Sequence, residues 1–433
     1  MHAAGYIDNY YSRILDDQGA RTPLSEDLQV DVCIIGGGLA GINTALGLCD
    51  RDVNNIALIE QNRIGWGASG RNGGFVAKGY AADVGLLTKK VGIDHAGKLV
   101  NLTKTARAMI RDRIATYDIP CGPLTAGVLT ASWGHESSTL AQEIDDLNRQ
   151  FDLGLEYWTT ERVREHCKTT RYHNGLYSPN DFQFNSLAYV HGLARTLETK
   201  GVRLFENTKA LSIKKQQGRW LVTTPQGTIS ARQLVSCCSV YSQGLDRRLE
   251  GASFPVQTYV MLTTPVKDAD LAASINTTHA IYDTRFASDY YRVLPDKRIL
   301  WGGRVGLWAS PQNLSAVMIK DLIKVYPQLA GKLEPEVSWS GLLCYAPHRM
   351  PQIGMIEENY WYNTGFGGHG LVPTTVGGEV VAAALTGTDT AYKLFEPFGL
   401  GYAGGHMGRY VAQMVYWWWR SRDFLQNLKE VRA

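Results

Sequence analysis

The chain has 433 residues, of which 44% are hydrophobic and 20% charged, so it can bury a large core and form about two or three domains. Its 44 Lys and Arg residues nearly balance 41 Asp and Glu residues, and the net charge of +3 gives no reason to expect a nucleic-acid or membrane partner. Scattered cysteines without a CxxC pair, no signal-peptide pattern and no run of ~18 apolar residues predict a cytoplasmic protein without a membrane-spanning helix.

The first distinct element is a strand that runs into a glycine-rich turn. Residues 30–35, VDVCII, have the Val and Ile content of a buried parallel strand. Gly36, Gly38 and Gly41 follow at GxGxxG spacing, and INTALGLCDR then has a helical apolar rhythm. Glycines in this pattern permit a tight turn, close approach of the backbone to a pyrophosphate, and close packing of the helix on the strand.

A second strand, NIALIE, ends at Glu60, about twenty residues beyond the glycines. A carboxylate at that strand end accepts hydrogen bonds from an adenosine ribose and repels a 2′-phosphate. Strand, glycines, helix, second strand and terminal Glu together predict a dinucleotide site. This unit alone leaves open whether the dinucleotide is NAD or FAD.

The loop RIGWGASGRNGGFVAKGY, residues 63–80 and hereafter the GAS loop, favours FAD because small residues and free amides suit a large rigid cofactor. Two later segments, WSGLLCYAPHRMPQIG and YNTGFGGHGLVPTTVGGEVVAAALTG, add a second glycine-rich turn before a helix. On these motifs the chain resembles the D-amino acid oxidase-like superfamily of FAD-dependent amine oxidoreductases. Within it, the chain looks most similar to the gamma-glutamylputrescine oxidase-like and L-pipecolate oxidase-like branch.

The resemblance implies the fold class: α/β (α+β overall), with a discontinuous Rossmann-type FAD-binding domain and an antiparallel-sheet substrate domain with flanking helices. The expected FAD-binding parts are residues 28–80, 175–250 and 338–390. The expected substrate domain comprises residues 81–174 and 251–337, and residues 391–433 form an aromatic helical tail.

The resemblance also implies which residues contact FAD. They lie in the first glycine turn, the second strand end, the GAS loop, the third strand region and the second glycine turn. The residues are Gly36, Gly38, Leu39, Ala40, Glu60, Gln61, Gly67, Ala68, Ser69, Arg71, Asn72, Gly73, Gly74, Ala210, Gly365, Gly367, Gly368, His369, Gly370 and Leu371.

The family's reaction removes a hydride equivalent from a carbon next to an amine nitrogen, giving an imine, with oxygen or another compound as final electron acceptor. Strand alternation in SDYYRVL places Tyr290 and Arg292 on one face. Arg304 and His369 are the other candidate catalytic residues. An Arg beside a Tyr suits a substrate carboxylate, although an exposed Arg on a strand face explains the pattern equally well.

Two alignments argue against a simple amino acid as substrate. Leu343 stands where amino acid oxidases have a carboxylate-binding Arg, and Val372 where sarcosine oxidases have a carboxylate-binding Lys. We therefore expect a secondary or polyamine-type amine such as gamma-glutamylputrescine, with L-pipecolate or sarcosine types as the alternative. Trp301 aligns with the oxygen-activating Lys of sarcosine oxidases, which leaves oxidase and dehydrogenase both open.

Cys344 aligns with the cysteine that holds FAD covalently in monomeric sarcosine oxidase-like enzymes, so covalent attachment is one hypothesis. A free buried thiol is the other. The Trp-rich segment at residues 417–419 predicts a packed aromatic helix rather than a membrane anchor. An NAD-linked dehydrogenase and a non-catalytic flavin subunit are the competing functions. No metal site is expected, and the sequence leaves the oligomeric state open.

Overall fold

The computed structural model describes residues 5–285, 288–306 and 312–404, together with Tyr410 and Met414. Within these residues the α-helices are α1 (Tyr10–Arg13), α2 (Leu39–Cys49), α3 (Val84–Val91), α4 (Ile93–Thr116), α5 (Leu140–Phe151), α6 (Thr160–His166), α7 (Ser186–Thr199), α8 (Arg247–Gly251), α9 (Asp268–Ala272), α10 (Leu314–Val325) and α11 (Leu371–Leu385). The Trp-rich segment lies outside the described residues.

The strands are β1 (Leu28–Ile35), β2 (Ile56–Ile59), β3 (Phe75–Val76), β4 (Thr125–Trp133), β5 (Glu156–Trp158), β6 (Tyr172–Gln183), β7 (Arg203–Phe205), β8 (Ser212–Gln216), β9 (Arg219–Thr223), β10 (Thr228–Ser236), β11 (Phe254–Thr263), β12 (Ala280–Asp283), β13 (Tyr290–Val293), β14 (Ile299–Gly306), β15 (Pro335–Tyr345), β16 (Gln352–Glu357) and β17 (Tyr360–Thr364). Short 3₁₀ helices occupy Ala68–Gly70, Ser239–Tyr241, Pro327–Leu329 and Ala391–Phe398.

The first sheet is the expected Rossmann-type sheet. Its order is β16-β17-β10-β1-β2-β7, with β8 and β9 attached as a hairpin at β10. Strands β17, β10, β1, β2 and β7 pair in parallel. Because β1 lies at the middle of this sheet, the turn that follows it opens at the carboxyl edge, where ligands of such sheets bind.

The second sheet has the order β15-β11-β14-β13-β12-β4-β6-β3, with β5 paired to β6. It is antiparallel as expected, except that β12 and β4 pair in parallel. The expected domain boundaries at residues 175 and 338 fall inside β6 and β15, which both belong to this sheet. The division into domains stays a prediction. The strands that contain these two boundaries, β6 and β15, are both hydrogen-bonded into the second sheet.

Helices α2 and α11 cross closely at Gly378, which lies against Asn43. A Cβ added at Gly378 of α11 would lie 2.5 Å from Asn43 Cβ and 2.6 Å from the Asn43 carbonyl carbon of α2. Both helices are almost fully buried, so neither can move aside without disturbing the core. Within the described residues, no helix combines the length and apolarity that crossing a membrane requires.

We therefore expect Gly378→Ala to lower the free energy of unfolding by about 1–3 kcal/mol, because it overpacks the α2–α11 crossing. Thermal unfolding followed by circular dichroism would measure the loss. Gly97→Ala on α4 is the matched control, since nothing lies within 4 Å of an added Cβ there and alanine is the better helix former. Equal melting temperatures for the two variants would contradict the packing argument.

Candidate active site

The first glycine turn brings backbone against backbone. Gly36 has φ +114° and its N–H donates to Ile59 O at 2.8 Å. An added Cβ at Gly36 would lie 2.6 Å from Cys237 O, and one at Gly41 would lie 2.0 Å from Gly36 O. No side chain fits at either position, so the first turn of α2 lies directly against the end of β1.

Glu60 is oriented by two backbone donors. Its carboxylate accepts hydrogen bonds from the Gly37 N–H at 2.8 Å and the Asn62 N–H at 2.9 Å. Burial raises the pKa of Glu60, and the two backbone hydrogen bonds oppose that rise. The carboxylate is thereby fixed beside the glycine turn, as the sequence predicts for a residue that contacts a ribose.

The GAS loop is held by its own side chains. Ser69 Oγ accepts from the Leu39 N–H at 2.9 Å, which joins the loop to the start of α2. The Asn72 side chain donates to Ala68 O at 3.0 Å and accepts from the Gly74 N–H at 2.8 Å. These bonds fix the loop conformation within the protein itself, so its surface is formed in advance for a rigid ligand.

Arg71 is half-buried in this loop, and its Nη2 atom is buried without a hydrogen-bond partner among the described residues. Its Nε donates to Trp66 O at 2.7 Å, and its guanidinium carbon lies 4.0 Å from the centre of the Trp66 ring. Burial lowers the pKa of Arg71. A buried donor without a partner is uncommon, which makes Arg71 a candidate to bind a ligand of the cavity described below.

The second glycine turn precedes α11. Gly367, with φ +60°, donates its N–H to Cys344 O at 2.8 Å, so the turn is tied to β15. The helix then begins at Leu371 after Gly370. An added Cβ at Gly365 would meet Gln352 Oε1 at 2.8 Å. Gly365 shapes the turn and does not line the cavity described next.

A single cavity of about 960 Å³ connects these pieces. All the expected cofactor-binding residues except Gly365 line it, as do Tyr290, Arg304, His369 and Cys344. The cavity continues onto one face of the second sheet. The strand residues that line it there include Val128, Thr130, Leu176, Ser178, Tyr282 and Tyr290.

Strand alternation separates this cavity from a second hydrophobic core. Tyr290 faces the cavity, whereas Tyr291 is buried in the core on the other face, stacked on Trp301 with ring centres 4.3 Å apart. Trp301 therefore lies away from the cavity, and the alignment that put it at an oxygen-activating position is not supported. On β14 the lining residues are Gly303, Arg304 and Val305.

The structure places Arg292 outside the cavity lining. It shares the face of Tyr290, as alternation predicted, but lies farther along the strand. There it donates to Tyr11 Oη at 3.0 Å, Phe184 O at 3.0 Å and Gln183 Oε1 at 3.1 Å. Tyr11 in turn donates to Asn72 O at 2.9 Å. Arg292 thus supports the GAS loop from behind and is a positioning residue.

Arg304 and His369 do line the cavity. The Arg304 guanidinium binds both carboxylate oxygens of Asp321, with Nη2 to Oδ1 at 2.9 Å. His369 Nε2 lies 2.7 Å from Ala77 O, and because a carbonyl only accepts, Nε2 carries the proton. Burial lowers the pKa of His369, which favours the neutral ring.

Lys78 also lines the cavity and was not among the residues predicted for the site. Its Nζ donates to Ser178 Oγ at 2.8 Å and lies 3.8 Å from Asp181 Oδ2. Burial lowers the pKa of Lys78 to about 8. The available signal was a lysine within a loop of small residues, only four positions after Gly74.

Leu343 and Val372, which stand where relatives have carboxylate anchors, lie in different surroundings. Leu343 lines the cavity, whereas Val372 is fully buried and does not line it. Cys344 is a lining residue, and its Sγ lies 3.0 Å from Ser253 Oγ and 3.7 Å from Thr364 Oγ1. The thiol thus has hydroxyl partners within the protein.

The chain belongs to the DAO family of FAD-dependent oxidoreductases, whose model matches residues 31–384. It is 28% identical over 393 residues to gamma-glutamylputrescine oxidoreductase of Escherichia coli (strain K12), covering 90% of this chain and 91% of that protein. It is 27% identical over 429 residues to probable oxidoreductase OrdL of Haemophilus influenzae, covering 95% of each. The protein is therefore an FAD-dependent amine or amino acid oxidoreductase, and this prediction is confirmed.

The fold is also confirmed by a solved structure. Glycine oxidase from Bacillus cereus ATCC 14579 superposes with a TM-score of 0.70 at 19% identity, covering 84% of this chain and 97% of that one. The residues present fit FAD, because the side-chain-free turn at Gly36, the fixed carboxylate of Glu60 and the unpartnered Nη2 of Arg71 lie along one cavity. Bound there, FAD would accept the electrons of the reaction.

We expect Glu60→Gln to weaken FAD binding by about tenfold, because a glutamine amide would turn a donor towards one of two backbone N–H groups. The measurement is FAD affinity of the stripped protein by flavin fluorescence. Glu26→Gln, at an exposed position, is the control. Unchanged affinity in Glu60→Gln would show that this carboxylate does not support the cofactor.

Proposed function

We propose that the protein oxidises the C–N bond of an amine or N-substituted amino acid to an imine, with a gamma-glutamylputrescine-type or other secondary or polyamine substrate. The observation that carries this proposal is the continuous cavity. It runs from the glycine turns to a sheet face that carries Tyr290, Tyr282 and Thr130. A small molecule on that face would share one enclosed space with the cofactor.

The chain's own contribution is orientation and desolvation. Tyr290 is held edge-on against Phe75, with ring centres 5.9 Å apart, and burial raises its pKa, so it stays a neutral hydroxyl. Neutral His369 is fixed by Ala77 O. Holding the substrate C–H bond in one orientation supplies much of the rate in such a reaction. The released imine hydrolyses in water to a carbonyl compound and an amine.

A substrate of the L-pipecolate or sarcosine type, whose carboxylate lies next to the reacting amine, is the second candidate. Lys78 and the Asp321-paired Arg304 line the sheet side of the cavity and suit a carboxylate of either candidate. Oxygen or another compound would take up the electrons afterwards. The similarity to gamma-glutamylputrescine oxidoreductase covers 90% of the chain and supports the first candidate. A cytoplasmic location stays a prediction from composition.

We expect gamma-glutamylputrescine to bleach the flavin absorbance near 450 nm when added anaerobically to the purified yellow protein. The panel also holds putrescine, spermidine, L-pipecolate, sarcosine, L-proline and D-alanine. Bleaching by the last four and by none of the polyamine-type amines would replace the first candidate by the second. No bleaching by any compound would refute the proposed substrate class. Return of the colour in air would identify oxygen as acceptor.

We further propose that FAD is bound without a covalent link to Cys344, because its thiol lies within contact distance of the hydroxyls of Ser253 and Thr364. Acid precipitation should release the flavin absorbance into the supernatant. Cys344→Ser should leave the flavin content of the purified protein unchanged. Flavin that stays with the pellet of the unaltered protein and is released from Cys344→Ser would establish a thioether instead.

A further inference from the structure

Lys78 is a buried lysine in the cavity wall. Its side chain is 7% exposed, and it follows β3, whose pairing with β6 brings it against Ser178. Burying an ammonium is costly unless other charges compensate it. A buried Lys78 ammonium therefore needs a negatively charged partner, either from the protein or from a bound ligand.

Asp181 is the acidic group nearest to Lys78 among those described, and Lys78 shares it with Arg107. Its Oδ1 accepts from Arg107 Nη1 at 2.6 Å, whereas Lys78 Nζ is 3.8 Å from Oδ2. Two cations thus share one carboxylate. Lys78 keeps donor capacity, since an ammonium has three N–H groups and one of them is used by Ser178.

The other basic residues described in the cavity lining are placed differently. Arg304 is paired with Asp321 through two of its three guanidinium nitrogens, Nε and Nη2. Arg71 lies in the GAS loop against Trp66, and Lys209 is exposed beside Ala210. On the sheet side of the cavity, Lys78 is the lining cation whose charge is least compensated by the protein.

We propose that Lys78 binds a carboxylate of the substrate, so that the natural substrate is an amine that also carries a carboxylate. This inference rests on the proposed function and specifies its substrate class. Leu343 and Val372 cannot bind a carboxylate. A cation from the loop after β3 would bind it in their place. Ser178, on the neighbouring strand, orients the ammonium through its Oγ.

The first test measures binding without turnover. Glutarate and its diamide, glutaramide, have the same carbon skeleton, and neither carries an oxidisable amine. Each is titrated into the FAD-loaded protein, and binding is followed by calorimetry. We expect glutarate to bind at least tenfold more tightly than glutaramide, and Lys78→Met to remove the difference. Equal binding of the two compounds by the unaltered protein, or an undiminished preference in Lys78→Met, would overturn the proposal.

Lys78→Met keeps a long side chain and leaves the Arg107–Asp181 pair intact, so it should fold. Its flavin spectrum and melting temperature check this. Ser178→Ala is a milder second variant, expected to weaken glutarate binding several-fold, and Lys214→Met at an exposed position is the matched control. Loss of glutarate preference in Lys214→Met as well would show that general charge, not this site, attracts the anion.

The second test separates binding from chemistry with two matched pairs: gamma-glutamylputrescine against 4-aminobutanoylputrescine, and L-pipecolate against piperidine. For the pair that bleaches the flavin, Lys78→Met should raise KM for the carboxylate-bearing member about ten- to a hundredfold. The kcat for the carboxylate-bearing member should change little. The KM and kcat for the matched compound without a carboxylate should also change little. A fall in kcat for both members would instead make Lys78 an acid–base group. Absence of turnover would refute the proposed function, while the glutarate result still decides the anchor.

The pH dependence provides an independent readout. The charged groups that act on Lys78 are Asp181, which raises its pKa, and Arg107 and Lys104, which lower it together with burial. Since the cation is lost as pH rises through its pKa of about 8, the preference for glutarate should decline above that pH. The same decline in Lys78→Met would contradict the assignment.

Discussion

The cofactor end of the molecule depends on one contact, the approach of backbone to backbone where β1 turns into α2. Gly36 and Gly41 meet each other and the chain at Cys237 at distances that exclude a Cβ. On the other side of α2, Gly378 lets α11 approach equally closely. The two helices that begin at the glycine turns are therefore fixed relative to each other and to the sheet before any ligand is considered.

This rigidity matters because a flavin is large and flat, and its site is assembled from segments far apart in the chain. The GAS loop is joined to α2 through Ser69, and the second glycine turn is joined to β15 through Gly367. Arg292 and Tyr11 hold the loop from behind. Each of these bonds limits the motion of a segment that lines the cavity. Ligand binding therefore orders few additional groups, and its entropic cost is small.

The second sheet serves two environments at once. Its strands place alternate residues in a hydrophobic core and in the cavity, as Tyr291 and Tyr290 show. Since a shift of one residue in register would exchange these two sets, the core of Tyr291 and Trp301 also determines which side chains can meet a substrate. Packing on one face of the sheet thereby specifies the chemistry on the other.

The glycine pattern, the strand end at Glu60 and the family resemblance predicted the cofactor residues, and all of these except Gly365 line one cavity. Their role in binding FAD stays a prediction. The substrate half depends on pairing between distant strands, which the sequence did not reveal. Alternation gave the correct face for Arg292 but not its position along β13, and it could not show that β3 pairs with β6 and carries Lys78 to Ser178.

The electrostatic cost of burying the Lys78 ammonium explains how this residue could select an anionic ligand. At 3.8 Å from Asp181, attraction at an effective dielectric constant of about 20 is roughly 4 kcal/mol, while removal from water costs several kcal/mol per ion. The lowering of its pKa to about 8 shows that burial outweighs attraction, although the ammonium still predominates at neutral pH. A carboxylate in hydrogen-bond contact would reverse that balance, because it adds a second attraction at shorter range without further burial of the lysine. The destabilised cation therefore makes the cavity selective for an anion, since a neutral ligand of the same shape would leave the electrostatic cost in place.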